Sequence, residues 1–304
     1  MPAAISPAAN YVGRFAPSPS GPLHFGSLVA ALASYLDAKA HGGQWLVRIE
    51  DVDETRCKPQ YADDILRTLQ AFGLRWDGEV IYQSLRKARY EQALTDLTLR
   101  GLTYACICSR REIADSAVSG LEGPVYPGTC RHAHHPMDAH AMRIITNDAQ
   151  LGFTDRLQGA VEQRLQSALG DFIIRRRDQL FSYQLAVVVD DADQGITHVV
   201  RGADLIDSTP RQIHLQQLLA LPTPQYLHIP VVTNSAGQKL SKQTLAHGLT
   251  QGEALMLLRR ALRFLGQPLH ADAEKQAPAA MLSAAASAWS ASAIPSVRER
   301  PMPH

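Results

Sequence analysis

Arg14-Phe-Ala-Pro-Ser-Pro-Ser-Gly-Pro-Leu-His24-Phe-Gly26-Ser27 is the stretch that decides the fold of this chain. It follows an apolar run, Tyr11 to Phe15, and leads into a helical pattern beginning near Ser27. A strand that turns through Pro and Gly into a helix sets its loop at a helix N-terminus. Free backbone N–H groups and a partial positive charge there suit a phosphate. Gly26 lets the backbone come close to a ligand, and His24 can donate a hydrogen bond to a phosphate oxygen. The loop has neither the G-x-G-x-x-G spacing of a dinucleotide site nor the Gly-Lys-Ser/Thr of a Walker loop. Taken alone it is equally a Pro-rich connection, and the rest of the chain has to decide.

Outward from it, Ser27 to His41 carries Leu28, Ala31, Leu32, Tyr35 and Leu36 on one face and ends at Gly42-Gly43, which predicts an amphipathic helix. Trp45-Leu-Val-Arg-Ile-Glu50 predicts a strand, followed by the polar loop Asp51-Val-Asp53. Strand, loop, helix, strand is the start of a parallel α/β sheet. Helical patterns follow over 61–72 and 85–100, capped by Gly73 and Gly101. Phe172 to Arg177 and Leu185 to Asp190 are β-branched, apolar runs that predict buried strands. Thr209-Pro210 opens a helix to about Leu219, and Tyr226 to Val232 predicts another strand. Residues 252–265 and about 278–290 are helical by composition, Ser296 to His304 read as frayed, and residues 1–10 as a disordered lead.

The 304 residues suffice for one large or two modest domains, and 45% hydrophobic with 19% charged residues is ordinary globular composition. A net charge of +1 means that any nucleic-acid surface must be a local basic patch. No 18-residue apolar run and no secretory h-region are present, so a cytoplasmic protein with no membrane partner is expected. In that setting the cluster Cys106, Cys108 and Cys130 points to metal before disulfides. A fourth ligand to zinc is Tyr126 or one of His132, His134 and His135, and general chemistry favours a His.

Lys239-Leu-Ser-Lys242 sits in a Gly-containing loop after the last strand pattern, and two ammonium groups three apart can follow charge building on a polyphosphate. A His- and Gly-containing loop after the first strand, with Lys239-Leu-Ser-Lys242 after the last, resembles the two signatures of class I aminoacyl-tRNA synthetases. The likeness narrows with Arg14-Phe-Ala-Pro-Ser-Pro-Ser-Gly-Pro-Leu-His, Arg48-Ile-Glu50-Asp51-Val-Asp53, Ala186-Val-Val-Val-Asp-Asp-Ala, Gly195-Ile-Thr-His-Val-Val-Arg201-Gly202 and Asp204. Across residues 11–245 these look like glutamyl-tRNA synthetases. The resemblance implies an α/β fold: a Rossmann-like parallel sheet with a zinc-binding insertion and a small C-terminal helical extension. The expected parts are 11–103 and 185–245 as the halves of the catalytic domain, 104–135 as the insertion, 136–184 as a connective region and 246–304 as the extension.

The same resemblance implies residue roles. His24, Gly26, Ser27 and Lys242 would bind ATP, with His24, Lys242 and Lys239 stabilising the phosphoryl transition state. Magnesium would accompany the ATP. Arg14, Ala16, Ser18, Glu50, Tyr183 and Arg201 would bind L-glutamate. Two carboxylates and one ammonium call for two cations, Arg14 and Arg201, and one anion, Glu50. By analogy Arg14 takes the side-chain carboxylate. The Cys-x-Cys…Tyr-x-x-x-Cys arrangement looks like the zinc site of glutamyl-queuosine tRNA(Asp) synthetases, short paralogues of glutamyl-tRNA synthetase, which makes Cys106, Cys108, Tyr126 and Cys130 the ligands. About sixty residues follow Lys242, too few for a helical anticodon-binding domain. That too is similar to the short branch, whose members activate glutamate without tRNA and esterify the cyclopentene-diol of queuosine at the wobble position of tRNA(Asp). A monomer is expected. The competing expectations are a truncated glutamyl-tRNA synthetase charging a tRNA 3′ end and a non-catalytic tRNA- or glutamate-binding paralogue. Arg175, Arg176, Arg177 and Arg211 are candidates for gripping the anticodon loop.

Overall fold

Val12–Phe15 (β1) occupies the middle of a five-stranded parallel sheet. The computed structural model describes residues 11–116, 119–120, 123–234, 237–240, 248–269 and 277–303. The first ten residues, Ser241 and Lys242 therefore lie outside the described residues.

The first part of the chain runs β1, α1 (Phe25–Ala40), β2 (Gln44–Ile49), α2 (Pro59–Ala71), β3 (Ile81–Tyr82) and α3 (Lys87–Leu99). A second group follows: β4 (Thr103–Cys106), α4 (Arg110–Ser116), the short pair β5 (Ser119–Gly120) and β6 (Gly123–Pro124), β7 (Ala141–Ile144), the hairpin β8 (Gln150–Asp155) and β9 (Gly159–Arg164), the single turn α5 (Leu165–Ala168) and β10 (Ile173–Arg175). The chain then returns to the main sheet through α6 (Tyr183–Asp193), β11 (His198–Gly202), α7 (Thr209–Leu218) and β12 (Gln225–Ile229). It ends with β13 (Val231–Thr233), α8 (Ala254–Phe264), α9 (Pro278–Ser287) and β14 (Glu299–Pro301).

The strand order is β12-β11-β1-β2-β3. β1 pairs with β2 in the register Arg14↔Leu46 and with β11 at Gly13↔His198. The sheet was thus built outward from β1 in both directions, and the order reverses between β1 and β11. A ligand crevice belongs at the carboxyl ends of the strands at such a switch point. Arg14 lies near the end of β1, Arg201 near the end of β11, and Glu50 directly after β2.

α1 buries Leu28, Val29, Ala31, Leu32 and Leu36 because it is covered by the sheet on one side and by α8 and α9 on the other. Leu28, Leu32, Leu36 and Trp45 are 2% exposed or less, each worth about 1.5–3 kcal/mol of burial by transfer. Asp37 on α1 accepts from Tyr11 Oη (2.5 Å), both terminal nitrogens of Arg156 (2.6 and 3.0 Å) and Trp289 Nε1 (2.9 Å). One carboxylate thereby ties the first strand, the β8–β9 hairpin and the segment after α9 together. Among the described residues no helix is long and apolar enough to cross a membrane.

Three local expectations are corrected. Leu185 to Asp190 is helix, not strand. The Ser182 side chain caps it by accepting from the Leu185 N–H (3.4 Å), and its apolar residues are buried all round among α3, β7, β10 and α7, so no polar face marks the helical period. Residues 299–301 are not frayed but pair in parallel with β13, Val231 opposite Glu299. α1 starts at Phe25, two residues earlier than expected, with His24 as its N-cap.

Candidate active site

A cavity of about 900 Å³ opens at the carboxyl edge of the sheet. Arg14, Ala16, Ser18, Glu50, Tyr183 and Arg201 all line it. So do His24, Ser27 and Lys239 from the two loops expected to hold phosphate.

The first loop is set by His24. Its backbone is extended (φ −118°, ψ 175°), and Nδ1 accepts from the Ser27 N–H at 3.3 Å. With Nδ1 accepting, the ring proton falls on Nε2. Gly26 does not line the cavity. Its role is steric, since a Cβ there would stand 3.1 Å from His24 Cε1 and 3.2 Å from Nδ1 and press on the ring. The Leu240 carbonyl comes within 3.9 Å of the same point, so the Lys239–Leu240 segment reaches the first loop. Lys239 Nζ is 2.5 Å from Asp204 Oδ2, with the lysine side chain 50% and the aspartate 34% exposed.

Behind the cavity the charges are paired unevenly. Arg14 gives Nε (3.1 Å) and Nη2 (3.4 Å) to Asp191. Arg48, wholly buried, reaches Asp191 through Nη1 (2.8 Å) and Glu50 through Nη2 (3.2 Å). Asp190 accepts from Arg86 (2.6 Å), Tyr90 (2.7 Å) and Gln83 (2.9 Å), and its Oδ2 also lies 3.8 Å from Arg48 Nε. Burial pushes the Glu50 carboxyl above the ordinary carboxylate range, with Arg48 and Arg14 pulling against it. Burial acts on Asp191 in the same sense, but Arg14 and Arg48 overcome it and hold that carboxyl low.

Arg201 is placed differently. Its Nε donates to His228 Nε2 (3.0 Å), Nη1 to Tyr183 Oη (3.3 Å) and Nη2 to Thr209 Oγ1 (2.8 Å). Among the described residues none of its partners is a carboxylate. Burial raises the Tyr183 hydroxyl above its ordinary value, so it stays protonated at neutral pH. The guanidinium groups of Arg14 and Arg48 thus share the carboxylates of Glu50 and Asp191, with Asp190 Oδ2 3.8 Å from Arg48 Nε, while Arg201 pairs with no carboxylate among the described residues.

A second cluster lies on the β4–β7 side. The sulfurs of Cys106, Cys108 and Cys130 all fall within 4.8 Å of one another, with Cys108 and Cys130 3.5 Å apart. A tetrahedral zinc with Zn–S bonds of ~2.3 Å sets its sulfurs about 3.8 Å apart, so the three thiols fit that ion. Tyr126 Oη stands 3.4 Å from Cys106 Sγ and 3.8 Å from Cys108 Sγ, and accepts from the Cys130 N–H at 2.9 Å. Among the described residues no His joins the three thiols in the group. Burial would raise the Cys106 thiol, but Tyr126 and the Arg143 guanidinium, stacked 3.7 Å over the Tyr126 ring, bring it below its ordinary value. Gly170, at φ +73°, lets the Tyr126 backbone cross so closely that a Cβ would meet the Tyr126 carbonyl. Asp171 then ties the cluster to the body through Tyr104 (2.6 Å), Arg131 Nε (2.8 Å) and Thr146 N (2.7 Å).

Residues 11–275 match the family model "tRNA synthetases class I (E and Q), catalytic domain". A Glutamyl-Q tRNA(Asp) synthetase of Dechloromonas aromatica is 55% identical over 94% of this chain and 96% of its own. That of Cupriavidus metallidurans is 57% identical over 84% and 85%. The chain belongs to the glutamyl-Q tRNA(Asp) synthetase family. A glutamate tRNA ligase from Elizabethkingia meningosepticum has the same fold, with a TM-score of 0.80 at 20% identity, covering 97% of this chain and 67% of that one. This synthetase is accordingly a ligase of the class I aminoacyl-tRNA synthetase type, with the α/β parallel-sheet fold of that class.

Sequence reasoning for this synthetase met Arg48 and Asp191 only as members of motifs, with no role assigned, and did not single out Asp155 or His228. A charged pair inside an apolar run, Asp190-Asp191, was the available signal, because buried carboxylates need partners. Of the basic candidates for the anticodon loop, Arg176 lines the cavity and pairs with Asp53 (3.1 Å) and Asp178 (2.6 Å). Arg175 turns to Glu91 (3.4 Å), and Arg211 donates to Ser208 (2.9 Å).

Proposed function

We propose that this synthetase activates L-glutamate with ATP, without tRNA, and transfers the glutamyl group to the cyclopentene-diol of queuosine at the wobble position of tRNA(Asp). The observation that carries the reading is the single cavity in which Arg14, Arg201 and Glu50 converge with His24 and Lys239. A zwitterionic amino acid with a second carboxylate offers two anionic groups and one cationic group, which Arg14, Arg201 and Glu50 suit in charge. Glu50 takes the α-ammonium, Arg14 and Arg201 the carboxylates, and Tyr183 donates a neutral hydrogen bond, while Ala16 and Ser18 shape the wall. The α-carboxylate attacks the α-phosphorus and pyrophosphate leaves. His24 Nε2–H, the N-terminal N–H groups of α1 near Ser27, Lys239 and Lys242 hold the charge that moves onto the phosphates. Gly26 keeps the His24 ring in place, and magnesium accompanies the ATP.

Cys106, Cys108, Tyr126 and Cys130 hold one zinc ion with a structural role. It supplies a cross-link to an insertion that lacks periodic apolar residues to pack. Residues 11–103 and 185–245 serve as the catalytic halves, 104–135 as the insertion, 136–184 as the connection and 246–304 as the extension. The enzyme works as a cytoplasmic monomer.

Glutamate-dependent ATP–pyrophosphate exchange in the absence of tRNA, followed by glutamate labelling of tRNA(Asp) with and without queuosine, tests the reading. Exchange with labelling only of the queuosine-containing RNA is expected. Equal labelling of both RNAs refutes the acceptor, and absence of exchange refutes tRNA-independent activation.

A further inference from the structure

We infer that His228 is the positioning residue of Arg201, an imidazole that fixes the guanidinium without giving it a counter-ion, so that the substrate's carboxylate becomes that counter-ion. The inference rests on the glutamate reading above and deepens it. His228 sits on β12 with no exposed side-chain surface. Its Nδ1 lies 2.7 Å from Asp155 Oδ2, and its Nε2 lies 3.0 Å from Arg201 Nε. Arg201 can only donate, so Nε2 must be the acceptor. The ring proton is then on Nδ1 and donates to Asp155. Asp155 is fixed in turn by the N–H groups of His228 (3.1 Å), Leu157 (3.0 Å) and Gln158 (2.9 Å). Burial, with Arg201 acting in the same direction, outweighs Asp155 and keeps the imidazole neutral at physiological pH.

The contrast with Arg14 gives this arrangement its meaning. Arg14 is clamped directly by the Asp191 carboxylate, which orients it and also neutralises it. At Arg201 a neutral ring stands between the guanidinium and the nearest orienting carboxylate, Asp155. The other groups touching it, Tyr183, Thr209 and the Leu205 carbonyl, are neutral too, as is the Tyr226 ring 5.4 Å away. A buried cation with only neutral partners is held at a cost that an incoming anion removes. Arg201 is therefore the residue whose electrostatics change most when a carboxylate binds.

His228→Asn and His228→Gln separate positioning from packing. An Asn amide stands where Nδ1 was and keeps the Asp155 bond, but does not reach Arg201. A Gln carbonyl stands where Nε2 was and keeps the acceptor for Arg201. Calorimetric titration with L-glutamate is expected to show His228→Asn weakened about tenfold or more and His228→Gln within about threefold of wild type, with the KM for ATP unchanged in both. Equal weakening of the two variants, or wild-type affinity in His228→Asn, overturns the inference. In the wild-type protein, 15N spectroscopy should report His228 protonated at Nδ1. Protonation at Nε2 would overturn the inference even if neither variant folds. Wild-type protein that binds no glutamate would refute the substrate reading instead, a result distinct from a failure of His228.

Discussion

Replacing Asp191 by Asn removes one charge from the centre of the site at almost constant volume. The carboxylate takes three bonds from two guanidinium groups, at 2.8, 3.1 and 3.4 Å. Its side chain is 8% exposed, and those of Arg14 and Arg48 are 4% and 0% exposed. Breaking a buried pair from one side costs about 3–5 kcal/mol, because the remaining cation stays desolvated without a partner. The Asn oxygen keeps one acceptor, so the lower end, about 3 kcal/mol, is expected. The pair Asp96–Arg100, at 56% and 47% exposure, makes the control, since exposed helix pairs are worth only about 0.3–0.5 kcal/mol. Thermal melts at pH 7.5 should place Asp191→Asn roughly 6 °C below wild type and Asp96→Asn close to it. Because the Asp191 carboxyl is held low, its contribution is present above the unfolded value of 3.8 and is lost as pH falls further. The gap between wild type and Asp191→Asn should persist at pH 5 and close in stronger acid. Glutamate affinity should fall with the stability, as Arg14 loses its anchor. Two variants with the same melting temperature would refute the reasoning.

Metal analysis should find one zinc per chain, lost in Cys106→Ser and weakened in Tyr126→Phe, while His132→Ala keeps it; zinc kept by Tyr126→Phe and lost by His132→Ala would refute the ligand assignment. Acid stability should carry the signature of His228, whose folded value is lowered to about 4 against 6.5 unfolded. Between those values the unfolded chain binds the extra proton, so stability falls as pH drops through this window, by up to ~1.4 kcal/mol per pH unit. Urea titrations of wild type and His228→Gln from pH 7 to 5 should diverge, and parallel curves would refute the assignment.

The motif loop and the strand–helix–strand start were readable because local signals agree with the final fold. Gly42 closes α1 in a left-handed turn, and β2 follows at once. α6 was not, because Leu185, Ala186, Val187, Val188 and Val189 are buried on every side and show neither period. β14 failed for another reason: Glu299, Arg300 and Pro301 have no strand propensity, and their pairing depends on β13, far away in sequence. The side chains expected to touch substrate could be named from motifs, and nine of them line the cavity. The residues behind them could not. Arg48 and Asp191 stand in quoted motifs without a role, Asp155 and His228 in none; all four act through hydrogen bonds to residues distant in sequence, and nothing in their spacing along the chain records those partners.

The pairing of β14 with β13 gives the last described strand a stake in how the Lys239 segment is held. β13 leads directly into the loop that presents Lys239, and the Met302 N–H bonds to the Thr233 carbonyl at 2.9 Å just before that loop begins. Without residues 299–302, β13 would become an open edge and the Lys239 loop would hang from an unsupported strand. Residues 299–302 thus brace the strand from which the Lys239 segment, on the wall of the cavity, departs.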